Sequence, residues 1–354
     1  MTTRKILVFG ASYGSLLGVK LALAGHSATL VCREKTAALI NAEGVVVRMP
    51  VKDREGLVEV RSRELPGEVN AATPESVDPA DFDLVVLSMQ EPQYRSPGVR
   101  ELLEATARAK VPCMSIMNMP PSPYLARIPG IDPKLCSESF TDSSLWEGFD
   151  PKLMTLCSPD AQAFRPPEEA PNVLQVRLAT NFKAARFESE EHTAMLRGIA
   201  DDIEAARFEI DGQPVELPVK LKVHDSIFVP LAKWAMLLTG NYRCLMENGV
   251  RSIKEAVHDD LDASREVYEW VVKLCVSLGA DPADLVPFDK YAAAAKSLQS
   301  PSSAARALLA GAPNIERVDR LVQAMAAQKG MRHASVNETV ERVDDWLVRN
   351  RLKG

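Results

Sequence analysis

The sequence has little that points to a membrane or a nucleic-acid partner. Its 42 lysines and arginines are outnumbered by 48 aspartates and glutamates, so the formal net charge is −6 and no cationic excess is available for a polyanion. The longest apolar stretch, residues 111–126, contains four prolines, which a membrane-spanning helix of about 20 residues would not accommodate. The first residues enter an apolar strand pattern directly, without a signal-peptide core. We therefore expect a cytoplasmic protein without nucleic-acid or membrane partners.

Cysteine is scarce as well. The chain has six cysteines, with no C-x-x-C pair and no histidine at ligand spacing. This pattern predicts neither a zinc site nor a disulfide framework, and we interpret the cysteines as buried thiols. Apolar residues are plentiful at 46%, which is typical of a globular chain with large cores. A length of 354 residues then favours two domains.

The N-terminal half alternates strand and helix patterns. Residues 6–9 form a continuous apolar strand pattern, residues 15–24 a helix pattern and residues 28–31 a second strand pattern, which together predict a βαβ unit. Apolar runs at 83–88 and 114–117 are typical of parallel strands buried on both faces. Further elements are predicted as helices at 35–42 and 189–206 and as strands at 45–49, 57–60, 153–157, 173–178 and 208–210.

From about residue 226 onward the sequence carries only helical patterns. The run Asp211-Gly212-Gln213-Pro214 interrupts the preceding pattern and marks a boundary. The sequence thus predicts an α/β fold: an N-terminal Rossmann-like domain with a doubly wound parallel sheet, residues 1–215, and an all-helical C-terminal domain, residues 216–354. The segment 119–171 is longer than an ordinary connection, and we expect it to carry function or cover a cleft. Helices are predicted at 227–248, 253–278, 304–310, 315–328 and 338–351.

A glycine loop, Gly10-Ala-Ser-Tyr-Gly14, follows the first strand and opens the first helix. A dinucleotide pyrophosphate needs such a tight turn, because the turn exposes backbone N–H groups at a helix N-terminus. The spacing is one residue short of G-x-G-x-x-G, so a plain turn stays an alternative. Within the βαβ unit we predict a dinucleotide site formed by Gly10, Ser12, Tyr13 and Gly14, in which both glycines allow close backbone approach.

Arg33 follows the second strand, where a dinucleotide-binding fold meets the adenosine ribose. A guanidinium binds a 2′-phosphate through two parallel hydrogen bonds, whereas a carboxylate suits a bare ribose. We therefore predict NADPH (NADP+) as the cofactor, bound through Arg33. NADH, bound through the neighbouring Glu34, is the alternative.

Four separated segments resemble the ketopantoate reductase family. The matching segments are Gly14-Ser-Leu-Leu-Gly18 with the βαβ unit around it, Ser115-Ile-Met-Asn118 at a strand end, Pro230-Leu-Ala-Lys233 with Asn241 eight residues later, and Pro301-Ser302-Ser303-Ala-Ala-Arg306 with Asn314-Ile-Glu316. Their order and spacing cover most of the chain.

The resemblance implies NADPH-dependent reduction of a 2-oxo acid in a cleft between the two domains. Asn118 matches the family's cofactor-site asparagine, where it would orient the nicotinamide or Lys233. Ser303 and Glu316 match the substrate motif and would bind polar groups of the substrate. Gln90 falls where the family has a lysine, and we place it with the cofactor-binding residues.

Lys233 is the predicted general acid. A lysine with its ordinary pKa near 10.4 is protonated at neutral pH and can donate to a developing alkoxide. If residues 227–248 form one α-helix, Asn241 lies roughly 80° around the axis from Lys233, and both can line one substrate cleft. Structural roles remain as alternatives: a surface position for Lys233, a turn for Asn118, a helix cap for Ser302 and Ser303, and a first-turn acid for Glu316.

Departures from the family pattern bear on the substrate. Gln90 replaces a lysine, Leu237 replaces an asparagine one turn after Lys233, and Met119-Pro120-Pro121 replaces a glycine. These changes speak against ketopantoate itself. The segment 119–171 is longer than the family's usual connection, which favours a different or larger substrate. Two other functions stay open, an opine- or imine-type NAD(P)-dependent dehydrogenase and a catalytically silent NADPH-binding protein. The sequence also leaves open whether the helical domains pair in a homodimer.

Overall fold

The computed structural model describes residues 2–353 and divides into two compact units. The first unit holds an eight-stranded sheet, and the second is helical. The predicted boundary at residue 215 falls inside the first unit, because the strand that follows it pairs with that sheet. The first unit comprises Met1–Met89, Gln93–Met117 and Gly148–Asp225, and the second comprises Gln90–Pro92, Asn118–Glu147 and Ser226–Gly354.

Fourteen strands lie in the described residues, and they form three sheets. The strands are β1 (Lys5–Phe9), β2 (Ser27–Val31), β3 (Val46–Met49), β4 (Val58–Arg61), β5 (Glu68–Ala72), β6 (Leu84–Leu87), β7 (Cys113–Ile116), β8 (Met154–Ser158), β9 (Gln162–Phe164), β10 (Val173–Leu178), β11 (Phe182–Ala185), β12 (Phe208–Ile210), β13 (Gln213–Val215) and β14 (Leu221–His224).

The large sheet has the order β14-β11-β8-β7-β6-β1-β2-β5. All its neighbouring strands are parallel except β8 and β11. The continuous apolar runs of β1 and β6 are buried along most or all of their length, because these strands are central and covered on both faces. The predicted Rossmann-like parallel sheet is confirmed.

A second sheet, with the order β4-β3-β10-β9, stands apart from the large one. The sequence patterns at 45–49 and 57–60 predicted these strands but could not assign them to a sheet. Val46 of β3 pairs with Val173 of β10, and the partner strand lies more than a hundred residues later. The end of the long segment 119–171 therefore contributes β9 to this four-stranded sheet. The remaining two strands, β12 and β13, form a hairpin.

Twelve α-helices complete the described fold. The helices of the first unit are α1 (Tyr13–Leu23), α2 (Glu34–Glu43), α3 (Val99–Ala109) and α5 (Glu190–Ala205). Those of the second are α4 (Ser122–Leu125), α6 (Lys233–Met236), α7 (Ile253–His258), α8 (Leu261–Ser277), α9 (Phe288–Ala295), α10 (Ser303–Leu309), α11 (Val318–Gln328) and α12 (Ala334–Arg351). The predicted helical C-terminal region is confirmed from Ser226 onward, whereas β14 lies inside the predicted range 216–354. Helix α9 was not predicted.

The predicted single helix at 227–248 is wrong. A 3-10 turn precedes α6, and a π-helix, Leu237–Asn241, follows it. The hydroxyl of Tyr291 donates to the carbonyl of Met236 at 3.2 Å. In a regular α-helix that carbonyl would accept from the residue four positions later, so a side chain inserted at this point favours the wider turn.

Within residues 2–353, no helix combines the length and the apolar character needed to cross a bilayer. The six cysteines are free, and five of them are buried. Cys32 is half-buried at the end of β2.

Candidate functional site

The glycine loop lies at the point where the order of the large sheet reverses. From β1 the chain continues to β2 and β5 on one side, and then crosses to β6 and β7 on the other. Loops that leave β1 and β6 therefore diverge at the carboxyl edge, which is where open α/β sheets bind ligands. Gly10 has φ +95°, and a Cβ there would lie 2.7 Å from Cγ of Met89. The position thus requires glycine for its backbone conformation and for the close approach of the β6 loop.

Helix α1 begins directly after this loop. Ser12 is its N-cap residue, yet no side chain among the described residues caps it and the first turn contains no acid. The positive end of the helix dipole and its first N–H groups are therefore suited to an anion. This supports the prediction of a phosphate site at Gly10 and Ser12.

Gly14 and Tyr13 have structural contacts of their own. A Cβ on Gly14 would lie 2.9 Å from Cγ1 of Val8, so this glycine allows α1 to pack closely on the sheet. The hydroxyl of Tyr13 donates to the carbonyl of Ala161 at 2.8 Å. The sequence analysis expected Gly14 to provide close approach to a cofactor. Its observed contact is with the core.

Arg33 is exposed at the carboxyl end of β2, and Glu34 beside it begins α2. Both candidate ribose contacts predicted from the sequence are therefore accessible. A residue that the sequence analysis missed, Arg165, also reaches the loop, where its Nη2 donates to the carbonyl of Ala11 at 2.9 Å. Arg165 follows β9, and no local pattern connects it to a loop more than 150 residues earlier.

A buried carboxylate forms the centre of the candidate site in the second unit. Glu316 accepts a hydrogen bond from the backbone N–H of Glu91 at 3.4 Å and one from Nδ2 of Asn118, also at 3.4 Å. Two of the predicted residues, Asn118 and Glu316, are therefore in contact. Oδ1 of Asn118 is buried and accepts no hydrogen bond from the described part of the chain.

The backbone around these side chains is fixed by two aromatic residues. The indole N–H of Trp234 donates to the carbonyl of Asn118 at 3.2 Å, and Trp234 follows Lys233 in α6. The hydroxyl of Tyr242 donates to the carbonyl of Glu316 at 2.6 Å and accepts from the N–H of Val318 at 3.0 Å. Both aromatic side chains are buried. Their hydrogen bonds therefore fix the backbone on which Asn118 and Glu316 are placed.

The pKa of Glu316 is raised to about 7, chiefly by burial and to a smaller extent by the nearby charge of Glu91. The N–H of Glu91, the amide of Asn118 and the ammonium of Lys233 act in the opposite direction. The ammonium of Lys233 therefore interacts electrostatically with the carboxylate of Glu316. These residues form what we call the Glu316 cluster: Glu91, Asn118, Lys233 and Glu316.

Sequence analysis missed Glu91. This side chain is fully buried, and its carboxylate accepts from the N–H of Thr141 at 3.0 Å and from Oγ1 of Thr141 at 2.7 Å. The available signal was an acid shortly after β6, but the family pattern marks the preceding position. The residue there, Gln90, is exposed.

Two predicted substrate residues lie outside the hydrogen bonds of the Glu316 cluster. Ser303 is the exposed first residue of α10, whereas Ser302 caps that helix by accepting from the N–H of Ala305 at 3.1 Å. Ser302 also donates to the carbonyl of Asn241 at 2.7 Å. Because the π-helix intervenes, the regular 100° spacing used to place Asn241 relative to Lys233 does not apply, and that geometric argument is wrong. No three histidine, cysteine or carboxylate side chains in the described ranges are grouped as metal ligands would be.

The raised pKa of Glu316 predicts a pH-dependent stability. In the unfolded chain a glutamate ionises near its ordinary pKa of about 4.3, and in the fold it ionises near 7. The folded state therefore binds more protons between these values, and the free energy of unfolding decreases as pH rises through them. We expect this component, on the order of 3 kcal/mol, to disappear in Glu316→Gln. Urea denaturation at pH 5 and pH 8 measures it. The control is Glu341→Gln at an exposed position, which should show the same change in free energy of unfolding between pH 5 and pH 8 as the parent. The same change in Glu316→Gln would contradict the assignment.

Comparison with known proteins identifies the fold. Neither a family model nor a curated protein sequence matches the chain. Among solved structures, the 2-dehydropantoate 2-reductase from Methylococcus capsulatus is similar at a TM-score of 0.65 and 14% identity, over 98% of this chain and 97% of that chain. The chain has the ketopantoate reductase fold. The dimeric ketopantoate reductase from Staphylococcus aureus matches at a TM-score of 0.61 and 9% identity, over 98% of this chain and 99% of that one.

The same fold includes an enzyme with another substrate. D-mandelate dehydrogenase in complex with NADH is similar at a TM-score of 0.59 and 13% identity, over 98% of this chain and 99% of that chain. The resemblance to ketopantoate reductases found in the sequence is thus confirmed in the fold over nearly the whole chain. At these identities the ketopantoate reductase fold by itself fixes neither substrate nor cofactor.

Proposed function

We propose that the protein is an NADPH-dependent reductase of a 2-oxo acid or a related carbonyl compound. The observation that carries the proposal is the Glu316 cluster, in which a lysine ammonium lies near a buried carboxylate and an amide with an unpartnered oxygen. Burying a polar group without a full set of hydrogen bonds costs free energy, and ionisable groups with strongly shifted pKa values concentrate at functional sites. A ketopantoate reductase fold makes carbonyl reduction the reaction class that such residues would serve.

The glycine-loop residues fit a dinucleotide phosphate. Gly10, with φ +95° and no Cβ, lets the β1 and β6 loops approach, and the uncapped start of α1 offers N–H groups to an anion. Arg33 is exposed and forms no ion pair within residues 2–353, so its guanidinium is available to a 2′-phosphate. When bound, NADPH supplies the hydride.

Lys233 is proposed to donate the proton to the oxygen that becomes an alkoxide and to attract the carboxylate of the substrate. Asn118 would orient the reacting groups through its amide, which Glu316 holds in place. With a pKa near 7, Glu316 can hold or release a proton at neutral pH within electrostatic reach of Lys233. Asn241, Ser303 and Gln90 remain proposed contacts to substrate and cofactor.

We also propose that the protein is cytoplasmic, as the sequence predicts. By analogy with the dimeric Staphylococcus aureus protein of the same fold, we propose that it forms a homodimer. Sedimentation of the purified chain tests the oligomeric state.

The reaction itself is tested by following nicotinamide absorbance with NADPH against a panel of 2-oxo acids, including bulky ones, and of imines. Turnover of imines alone would favour the opine-type alternative. No turnover with any compound, together with dinucleotide binding, would favour a silent NADPH-binding protein.

Arg33→Ala is expected to weaken NADPH binding and leave NADH binding nearly unchanged. A charge-assisted contact to the 2′-phosphate contributes about 1.5–3 kcal/mol, or roughly a ten- to hundredfold change in Kd. Titration by nicotinamide fluorescence measures both affinities. Glu34→Ala is the matched control, because it should change only the affinity for NADH. Equal parent affinities for the two dinucleotides would instead assign the ribose contact to Glu34.

A further inference from the structure

Arg165 connects the four-stranded sheet to the glycine loop. It follows β9, and its Nη2 donates to the carbonyl of Ala11 at 2.9 Å. Four residues earlier, the carbonyl of Ala161 accepts from the hydroxyl of Tyr13 at 2.8 Å. The segment 161–165 is thus attached to the loop at both ends. This arrangement holds the guanidinium of Arg165 beside the start of α1.

Arg165 also lies near Arg33. The charge of Arg33 and the burial of Arg165 both lower the pKa of Arg165, with burial the larger cause. The two guanidiniums also act together on the thiol of Cys32, whose pKa is nevertheless raised because burial outweighs them. The thiol therefore stays neutral and is no counter-ion. Neither arginine forms an ion pair with any acid of residues 2–353.

Two unpaired cations of this kind repel each other, and a dianion between them would remove the repulsion. Arg33 approaches from the end of β2, where an adenosine ribose lies in this type of sheet, and Arg165 approaches from the loop. The start of α1 is the proposed site of the pyrophosphate. The position shared by both arginines is therefore suited to the additional phosphate on the ribose.

We propose that Arg165 is the second guanidinium of the 2′-phosphate site and that it contributes to the choice of NADPH over NADH. This inference rests on the proposed function, since it assigns a specificity residue to the same cofactor site. It gives part of the long segment 119–171 a role in cofactor selection.

The test measures the binding of NADPH and NADH, and of 2′,5′-ADP and 5′-ADP as probes without nicotinamide, by calorimetry on the full chain. Arg165→Ala is expected to weaken NADPH and 2′,5′-ADP about tenfold or more and to change NADH and 5′-ADP less than twofold. Arg165→Gln should show the same loss, because it removes the charge while it keeps a polar side chain of intermediate length. The control is Arg177→Ala, an exposed arginine of β10 that lies over the ring of Phe164.

Three outcomes would overturn the proposal. Unchanged NADPH affinity in both Arg165 variants would remove the residue from the site. An equal loss for NADPH and NADH would assign Arg165 to the pyrophosphate and remove it from cofactor selection. Parent protein that binds neither dinucleotide would contradict the proposed function itself, and this result is distinguishable because it appears without any variant.

Discussion

Lys233→Ala is expected to reduce kcat roughly 10²–10⁴-fold, which is the usual contribution of a positioned general acid. The alkoxide that forms during carbonyl reduction would lose both its proton donor and the neighbouring positive charge. Cofactor affinity should stay near the parent value, because the residues proposed to bind the dinucleotide are those around the glycine loop. Single-turnover NADPH oxidation with a substrate from the panel separates the chemical step from binding.

Two further variants make this result specific. Lys233→Arg retains the charge but does not readily release a proton, so it should restore substrate binding better than rate. Lys254→Ala changes an exposed lysine of α7 and should leave the rate unchanged. If Lys233→Ala turns over within a few-fold of the parent, the proton comes from another group, and Glu316 becomes the first candidate.

Asp319→Ala is expected to destabilise the fold by about 3 kcal/mol, since removing one partner of a buried ion pair leaves the other with less of its charge compensated. Asp319 is fully buried and accepts from Nε and Nη2 of Arg317 at 3.0 and 2.9 Å. Arg317 also binds Asp344 at 2.6 Å, which limits the loss. Because Arg317 directly follows Glu316, this ion-pair network also anchors the backbone of the Glu316 cluster.

Chemical denaturation at pH 7 measures the loss in Asp319→Ala. Asp345→Ala removes an exposed carboxylate from α12 and should change the free energy of unfolding by less than about 0.5 kcal/mol. A loss in Asp319→Ala as small as in this control would mean that the buried pair contributes little beyond its own desolvation.

Local patterns predicted those elements whose partners are close in sequence. The buried strands β1 and β6 and the amphipathic α5 follow from periodicity, and the loop at Gly10 follows from strand, glycine and helix in succession. The π-helix could not be predicted, because the hydroxyl of Tyr291 that favours it lies 55 residues from Met236.

The candidate site depended almost entirely on distant contacts. Asn118 and Glu316 are 198 residues apart, and only the family resemblance indicated that they act together. For Glu91 and Arg165 the family resemblance gave no indication of a role. Their partners Thr141 and Ala11 lie 50 and 154 residues away, and a charged side chain without a local partner is ordinarily interpreted as a solvated one.

The wide turn at Leu237–Asn241 holds one residue more than an α-helical turn between the same end points. Deleting one residue there would close the wide turn into a regular α-helical turn and leave the segments on either side in place. An insertion of this kind adds one residue to a helix without rotating the segments on either side of it. Sequence comparisons that keep uniform helical spacing through this region will therefore pair Asn241 and the residues after it one position out of step with relatives that have no such turn.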